Sequence, residues 1–367
     1  MTKIIVKPLI TGLLLLLTMA SGCQGTIQTP TTASFKKDEI TLKTLTDEIL
    51  TTAEDKISIE KYVLLLSKSV VPSTDIELQS MRLSNMADIL RKRIGDETDP
   101  NKIIETINKY LFEETKFDTP NVTKEEGTTF KHALLPYVLD GREGNCVGLG
   151  MIYLCLAERL KLPVFGVSIP RHFFLRYDNG KNRINIDPTE KGKNISDNDY
   201  LKKFAPLVKD IDTAVKDEML KNLSRKEVLG GYIGNGIVHK FIDEPYDFKS
   251  AVEYNGYALQ LFPNSELLHS KQGEYLMQLA DDTDNPEYEK QATKELIIAH
   301  QLYPYSVGTM GFLALSYYFA KDYKNSTKMF DELFQKFTWD DVLERFESEM
   351  THYIELIHKD ALIKTNK

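Results

Sequence analysis

The sequence predicts an α+β fold: one apolar helix packed on a small antiparallel sheet, with a helical region before it and an α-helical array after it. Three observations predict this. Residues 147–160, VGLGMIYLCLAERL, are apolar almost all the way round, as a helix buried on several sides is. Residues 172–187, HFFLRYDNGKNRINID, put β-rich runs on both sides of Asn179-Gly180, the strongest two-residue hairpin signal. Past Gly192, small residues recur at a near-regular spacing, the mark of stacked helix pairs.

The N-terminus sets the class of protein. Lys3 and Lys7 precede an apolar run from Leu9 to Leu17 and then Ala20-Ser21-Gly22-Cys23. A basic start, an apolar stretch too short for an ordinary span and small residues before a cleavage point read as a secretory signal over residues 1–22. Because the small residues end in cysteine, the pattern looks like a bacterial lipobox, with Cys23 lipidated. The other reading is an uncleaved membrane anchor. Either way the protein is expected to be exported and tethered to the cell envelope, at the outer membrane if the cell has two, since Gln24 rather than Asp follows the cysteine. Removing residues 1–22 takes away two lysines and no acids, moving the net charge from −8 to −10. That balance argues against nucleic-acid partners.

Residues 23–44, rich in Thr and Gln, read as a flexible tether. Residues 45–125 read as a helical region, in which Asp99-Pro100 supplies a helix start. It carries no apparent site of its own. Residues 126–200 form the proposed catalytic core, 201–228 a connector and 229–362 the helical array. His132 lies far from any partner that can be placed and reads as a structural histidine. Arg142 and Glu143 stand at the entry to whatever site Cys146 belongs to.

Two cysteines remain besides Cys23. Cys146 and Cys155 are nine residues apart on one proposed helix, roughly 13 Å and beyond disulfide reach. Cys155 reads as a buried small hydrophobe. Cys146 falls at the helix N-terminus, where unpaired amides and the macrodipole favour a thiolate. A two-residue turn at Asn179-Gly180 pairs positions whose numbers sum to 359, which sets His172 opposite Asp187 on one face, about 4.5–5.5 Å apart at Cβ. Phe173, Leu175, Ile184 and Ile186 then line the other face. A thiolate, a histidine base and an aspartate that holds its tautomer make the nucleophile, base and orienter of acyl transfer. The Cys146 amide is one oxyanion donor, and the second is Asn145 or a distant group. Cys, His and Asp also ligate zinc, yet neither a fourth ligand nor metal-type spacing is present, and no cofactor or metal is expected.

Cys146, a helix, His172 heading a strand and Asp187 in an Ile-Asp-Pro sequence follow the order of transglutaminase-like domains, relatives of the papain fold, which this segment resembles. The likeness is closer to a bacterial branch, the SirB-type proteins, in which a helical region precedes the domain and tetratricopeptide-like helices follow it. Tyr110-Leu111-Phe112-Glu113, Leu156-Ala157-Glu158-Arg159-Leu160, Pro163-Val164-Phe165-Gly166-Val167 and Pro170 through Arg176 carry that closer likeness. It covers roughly residues 57–340. The branch includes members that lack triad positions, and this chain keeps all three. Arg171 stands where the related pattern has glycine, which implies a narrower opening beside His172 or an anion-binding group there.

In the array, Ala251, Ala292 and Ser326 align, with Ala258, Ala299 and Leu333 seven residues further on. The spacings are 41 and 34, and removing the polar insertion near Asp281 to Glu287 brings the first to the tetratricopeptide period. Pro263 and Pro304 close the first two copies. The aromatic residues Tyr254, Tyr257, Tyr303, Tyr317, Tyr318 and Phe330 read as core rather than as a ligand box. Two functions remain open: a cysteine-dependent amide acyl-transfer enzyme acting on peptides or proteins, and a non-catalytic envelope adaptor whose repeats bind a protein or peptide partner.

Overall fold

The structure, a computed structural model, describes residues 41–122, 128–208, 213, 219–242, 246–346 and 348–365. The leader, Cys23 and the tether up to residue 40 lie outside the described residues. Among the described residues no helix is long and apolar enough to cross a membrane.

Among the described residues the first helices are α1 (Leu42–Thr51), α2 (Ile59–Val70), α3 (Ile76–Ile94) and α4 (Pro100–Asn108). Each starts where a short polar side chain accepts a first-turn amide: Thr41 from Thr44, Ser58 from Lys61, Asp75 from Leu78 and Asp99 from Asn101. The Thr41 cap starts α1 at Leu42, so the tether boundary drawn at residue 44 falls inside a helix.

The core follows as α5 (Leu135–Gly141), α6 (Cys146–Leu160), β1 (Val164–Ile169), β2 (His172–Asp178) and β3 (Arg183–Ile186). The strands form one antiparallel sheet in the order β1-β2-β3. Helix α6 is buried from Val147 to Ala157, as its all-round apolarity requires. Gly150 and Gly166 enclose the Phe173 ring, and a Cβ on either would lie 2.7–2.8 Å from it. Gly148, by contrast, does not meet the sheet. It sits against the His132 carbonyl and Val138 of α5. At the far end of α6, the Glu158 carboxylate accepts the Ile59 and Glu60 amides at 3.1 and 3.2 Å, an anion at the N-terminus of α2. Arg159 clamps Glu60 with two bonds of 2.5 and 2.6 Å. These contacts fix α6 to the N-terminal region.

The hairpin register differs from the two-residue turn. The observed pairs are Leu175 with Ile186, Arg176 with Asn185, Tyr177 with Ile184 and Asp178 with Arg183, so the loop holds four residues. Asn179 is the reason. Its side-chain oxygen accepts the amides of Lys181 and Asn182 at 3.0 and 2.8 Å, an Asx-type turn that needs a positive φ only at Gly180. The register is displaced by two residues, and because side chains alternate with period two the faces survive. Asp187 therefore lies diagonal to His172 instead of directly opposite, just past the end of β3.

The His172 face of the sheet is covered by α7 (Asp197–Phe204), while the Leu175 and Ile186 face packs on α6. Next come α8 (Arg225–Tyr232), a π-helical turn at Ile233–Ile237 and α9 (His239–Ile242). Helices α7 and α8 run across residues 200 and 228, so the boundaries drawn there cut continuous elements.

The array comprises α10 (Phe248–Leu261), α11 (Glu266–Thr283), α12 (Pro286–Leu302), α13 (Val307–Phe319), α14 (Tyr323–Lys336), α15 (Trp339–Arg345) and α16 (Ser348–Thr365). All six aligned positions, from Ala251 to Leu333, are fully buried where helices cross. The stretch read as an insertion is the last turn of α11 and its junction. Asp284 adopts the left-handed conformation that ends α11, and Asn285 and Pro286 start α12. Helix α10 and the α11 face with Leu268, Tyr275 and Leu279 share one core with the N-terminal helices and α6, whereas Leu276 and Met277 of α11 join the core of the later helices.

Candidate active site

Cys146 is the first residue of α6 and is half-buried. The Asn145 side-chain oxygen accepts the Val147 and Gly148 amides, both at 3.0 Å, so the cap leaves the Cys146 amide unused. The loop before it is held by backbone bonds: Asn145 N–H donates to His132 O at 2.8 Å and Gly144 N–H to Asp118 O at 3.0 Å. His132 is thus structural, its carbonyl seating the loop before Cys146 and its Nδ1 accepting the Thr129 amide at 3.1 Å.

His172 heads β2, and its Nε2 lies 2.9 Å from Asp187 Oδ2. Asp187 leaves Nδ1 unused, and the Cys146 side chain lies close enough to the imidazole to raise its pKa. The structure thus brings the three sequence-derived residues together. The His172 side chain is 8% exposed. Burial alone pulls its pKa down, but the bonds to Asp187 and Cys146 outweigh burial and raise it to about 9. Burial pushes Asp187 up, and His172 and Thr189 more than reverse this, leaving it at about 2.

Further residues hold this pair, and the sequence reading did not name them. Thr189 donates to Asp187 Oδ1 from its amide at 2.9 Å and from its hydroxyl at 2.7 Å. The Tyr200 hydroxyl donates to Asp187 Oδ2 at 3.0 Å, and Phe204 stacks on the His172 ring at 4.7 Å and 7°. Tyr200 and Phe204 are four apart on α7, so they share one face. That spacing was the available signal, but nothing in the sequence put α7 over His172. Tyr200→Phe is expected to cost about 1.5–3 kcal/mol in urea unfolding, the range for a buried bond to a charged group. An unchanged midpoint would mean that the bond contributes nothing.

Cys146 and His172 open on a cavity of about 230 Å³. Its walls combine Val147, Met151 and Phe173 of the core with Tyr232, His239, Phe262 and Lys271 of the array side. Arg171 also lines it, with a positive φ of 63°, in the left-handed region where the related pattern uses glycine. A smaller pocket of about 50 Å³ shares Ser168, Phe262, Ser265 and Leu267 with it and continues toward Tyr303. Among the described residues, no group of three or more His, Cys, Asp or Glu side chains is arranged to hold a metal ion.

A cysteine at a helix start thus lines one cavity with a strand-borne histidine that is bonded to a carboxylate. Residues 78–232 match the family model of the Transglutaminase-like superfamily, so the chain carries a transglutaminase-like domain. Two curated relatives, both called UPF0162 protein and both from Xylella fastidiosa, are 22% identical over 162 residues in strain 9a5c and 24% over 149 in strain Temecula1 / ATCC 700964. These alignments cover 44% and 41% of this chain and 57% and 52% of the relatives, so the chain spans about half the length of the relatives it matches. Among solved structures, the crystal structure of menin, described as revealing the binding site for Mixed Lineage Leukemia (MLL) protein, aligns with a TM-score of 0.55 and 12% identity. That alignment covers 80% of this chain and 69% of menin, and shows a shared fold.

Proposed function

We propose that this chain is an envelope-tethered, SirB-type thiol enzyme that cleaves or transfers an amide acyl group, with tetratricopeptide-like repeats behind its site. The observation that carries the reading is the chain of contacts from Cys146 through His172 to Asp187, opening on one cavity. The Cys146 sulfur attacks the amide carbonyl, a C–S bond forms, and the Cys146 amide faces the developing oxyanion. His172 passes its proton to the leaving nitrogen as the C–N bond breaks, which leaves a thioester. Water or an amine, deprotonated by His172, then breaks the thioester and restores the thiol. Asp187 holds the ring throughout. The two adjoining pockets suit a chain-like substrate, a peptide or protein. The leader, lipidation at Cys23 and the tether would hold the enzyme at the envelope.

The test is the rate of iodoacetamide alkylation of each cysteine across pH, read by mass spectrometry. Cys146 is expected to label fast at pH 6. Cys155 is fully buried and burial pushes its thiol well up, so it should label only in denaturant and serve as the internal control. Labelling of Cys146 that rises only near the ordinary thiol pKa of about 8.5 would refute the enzyme reading.

A second reading is a non-catalytic adaptor that holds a protein segment, and the fold shared with menin favours it. On that reading Cys146→Ala leaves partner capture intact, whereas on the first it leaves substrate bound and uncleaved.

A further inference from the structure

The cavity wall facing the array carries groups that acyl transfer does not use. The π-helical turn at Ile233–Ile237 inserts a residue into the α8–α9 path, as such turns often do at functional sites. It is built where Gly234 meets Leu268 too closely for any side chain. Asn235 in this turn and His239 just beyond it both line the cavity. From α11, the Lys271 ammonium donates to Asn235 Oδ1 at 3.1 Å and to His239 Nε2 at 3.3 Å.

An ammonium has hydrogens and no lone pair, so it can only donate. Its bond to Asn235 therefore turns the side-chain oxygen toward Lys271 and leaves Nδ2, with its two hydrogens, on the other side. The same reasoning sets the His239 tautomer. Burial first, and the Lys271 charge second, hold His239 at about 3, so the ring is neutral near neutral pH. A neutral ring that accepts at Nε2 carries its proton on Nδ1. No described residue accepts from Asn235 Nδ2 or from His239 Nδ1. Val147, Met151, Phe173, Val228 and Phe262 supply an apolar lining to the cavity these donors share with Cys146. Two oriented, uncharged donors in such a cavity suit a carbonyl oxygen, which has two lone pairs and no charge to desolvate.

We propose that Asn235, with His239 beside it, is a specificity-determining residue that donates to a carbonyl oxygen of a peptidic substrate while Cys146 attacks a neighbouring amide. This rests on the acyl-transfer reading for the role of Cys146, but the carbonyl preference is measurable apart from it. The orientation uses Lys271 only as a donor and does not depend on the net charge of that wall. A main-chain and a side-chain carbonyl supply the same chemistry, and a set of thiol reagents separates the two. N-acetonyl-iodoacetamide carries a ketone where a main-chain carbonyl follows the amide nitrogen. Its homologue with one further methylene before the ketone carries it where an asparagine side-chain carbonyl would lie. N-propyl- and N-butyl-iodoacetamide are the matching controls, with a methylene in place of each ketone.

The readout is the labelling rate of each ketone at Cys146 over that of its control, each first divided by its rate with free cysteine, so a general loss of reactivity cancels. In the wild-type full-length chain one ketone is expected to label about tenfold faster than its control, the gain of one or two neutral hydrogen bonds. Which ketone gains identifies a main-chain or a side-chain carbonyl. Asn235→Asp keeps an oxygen on Lys271 and replaces the Nδ2 donor by an acceptor, so the ratio should fall to one or below. His239→Phe should lower it severalfold, and His239→Gln, which restores a donor, should keep most of it. Equal rates for ketone and control in the wild type, or a preference that survives both Asn235→Asp and His239→Phe, would overturn the proposal. The controls test the acyl-transfer reading separately. If they label Cys146 as an ordinary thiol and His172→Ala changes nothing, that reading fails while the ratio still reports on the carbonyl site.

Discussion

His172→Ala is expected to slow alkylation of Cys146 by iodoacetamide on the order of 100-fold at pH 6. The imidazole is raised to about 9 by its bonds to Asp187 and Cys146, so near neutrality it is a cation beside the sulfur. Without it, a thiol of ordinary acidity near 8.5 is well under 1% thiolate at pH 6. The gap should narrow as pH rises toward 9, because the variant then ionises unaided. Amide turnover has the opposite high-pH behaviour: it needs the His172 proton for the leaving nitrogen, so it should fall above about 9. The pair also contributes to stability in a defined window. The folded pKa of His172 lies above its ordinary 6.5, so its contribution is complete below 6.5 and fades as pH rises through about 9. Asp187 lies below its ordinary 3.8, so its contribution is present above 3.8 and is lost as pH falls through about 2. Equal alkylation rates in wild type and variant at pH 6 would remove the ion pair from the argument.

Why was the site legible when its register was misread? Cys146, His172 and Asp187 were found by parity and by helix position, which are local properties. The Asn179 side chain turned a two-residue loop into a four-residue one, and the displacement of two kept His172 and Asp187 on one face. A displacement of one would have put them on opposite faces. The meeting of His172 with Asp187 was therefore protected by the period of the strand and not by the turn that suggested it. What stayed hidden is what depends on long-range packing. Gly148 packs on the His132 carbonyl and not on the sheet, and Tyr200 and Phe204 reach Asp187 and His172 only because α7 folds back over β2. Asn235 and Lys271, 36 residues apart, meet on the cavity wall by the same kind of closure. No periodicity reports such meetings, although Gly234 in a tight helix crossing was a partial sign.

Arg176 shows how the same face of β2 supports the site. Its side chain is fully buried two residues beyond Phe174 and four beyond His172, so all three point to the α7 side. Its guanidinium donates to Asn185 Oδ1 at 2.7 Å, Leu220 O at 2.5 Å and Asp197 Oδ1 at 2.5 Å. Burial lowers its pKa and the Asp197 charge opposes that. Leu220 has a φ of 59°, a left-handed conformation held by these bonds, and three residues later the Leu223 amide donates to Gly166 O at 2.9 Å. Leu223 lines the cavity. Arg176 is thus the clamp that holds Leu220, and with it Leu223 at one wall of the cavity, against the sheet. Arg176→Leu leaves Asp197 and the Leu220 carbonyl without this donor, and is expected to destabilise the fold by about 3–5 kcal/mol, the cost of breaking a buried ion pair from one side. Arg176→Lys should recover little, because one ammonium cannot reproduce the planar fork that spans three acceptors. The double change Arg176→Met with Asp197→Leu, which removes both charges, should recover part of the loss. Urea midpoints at constant slope would measure all three. A loss under 1 kcal/mol for Arg176→Leu would show that the connector is held by its apolar contacts alone, and the cavity wall would then owe its place to Leu223 and Val228 packing instead of to the buried cation.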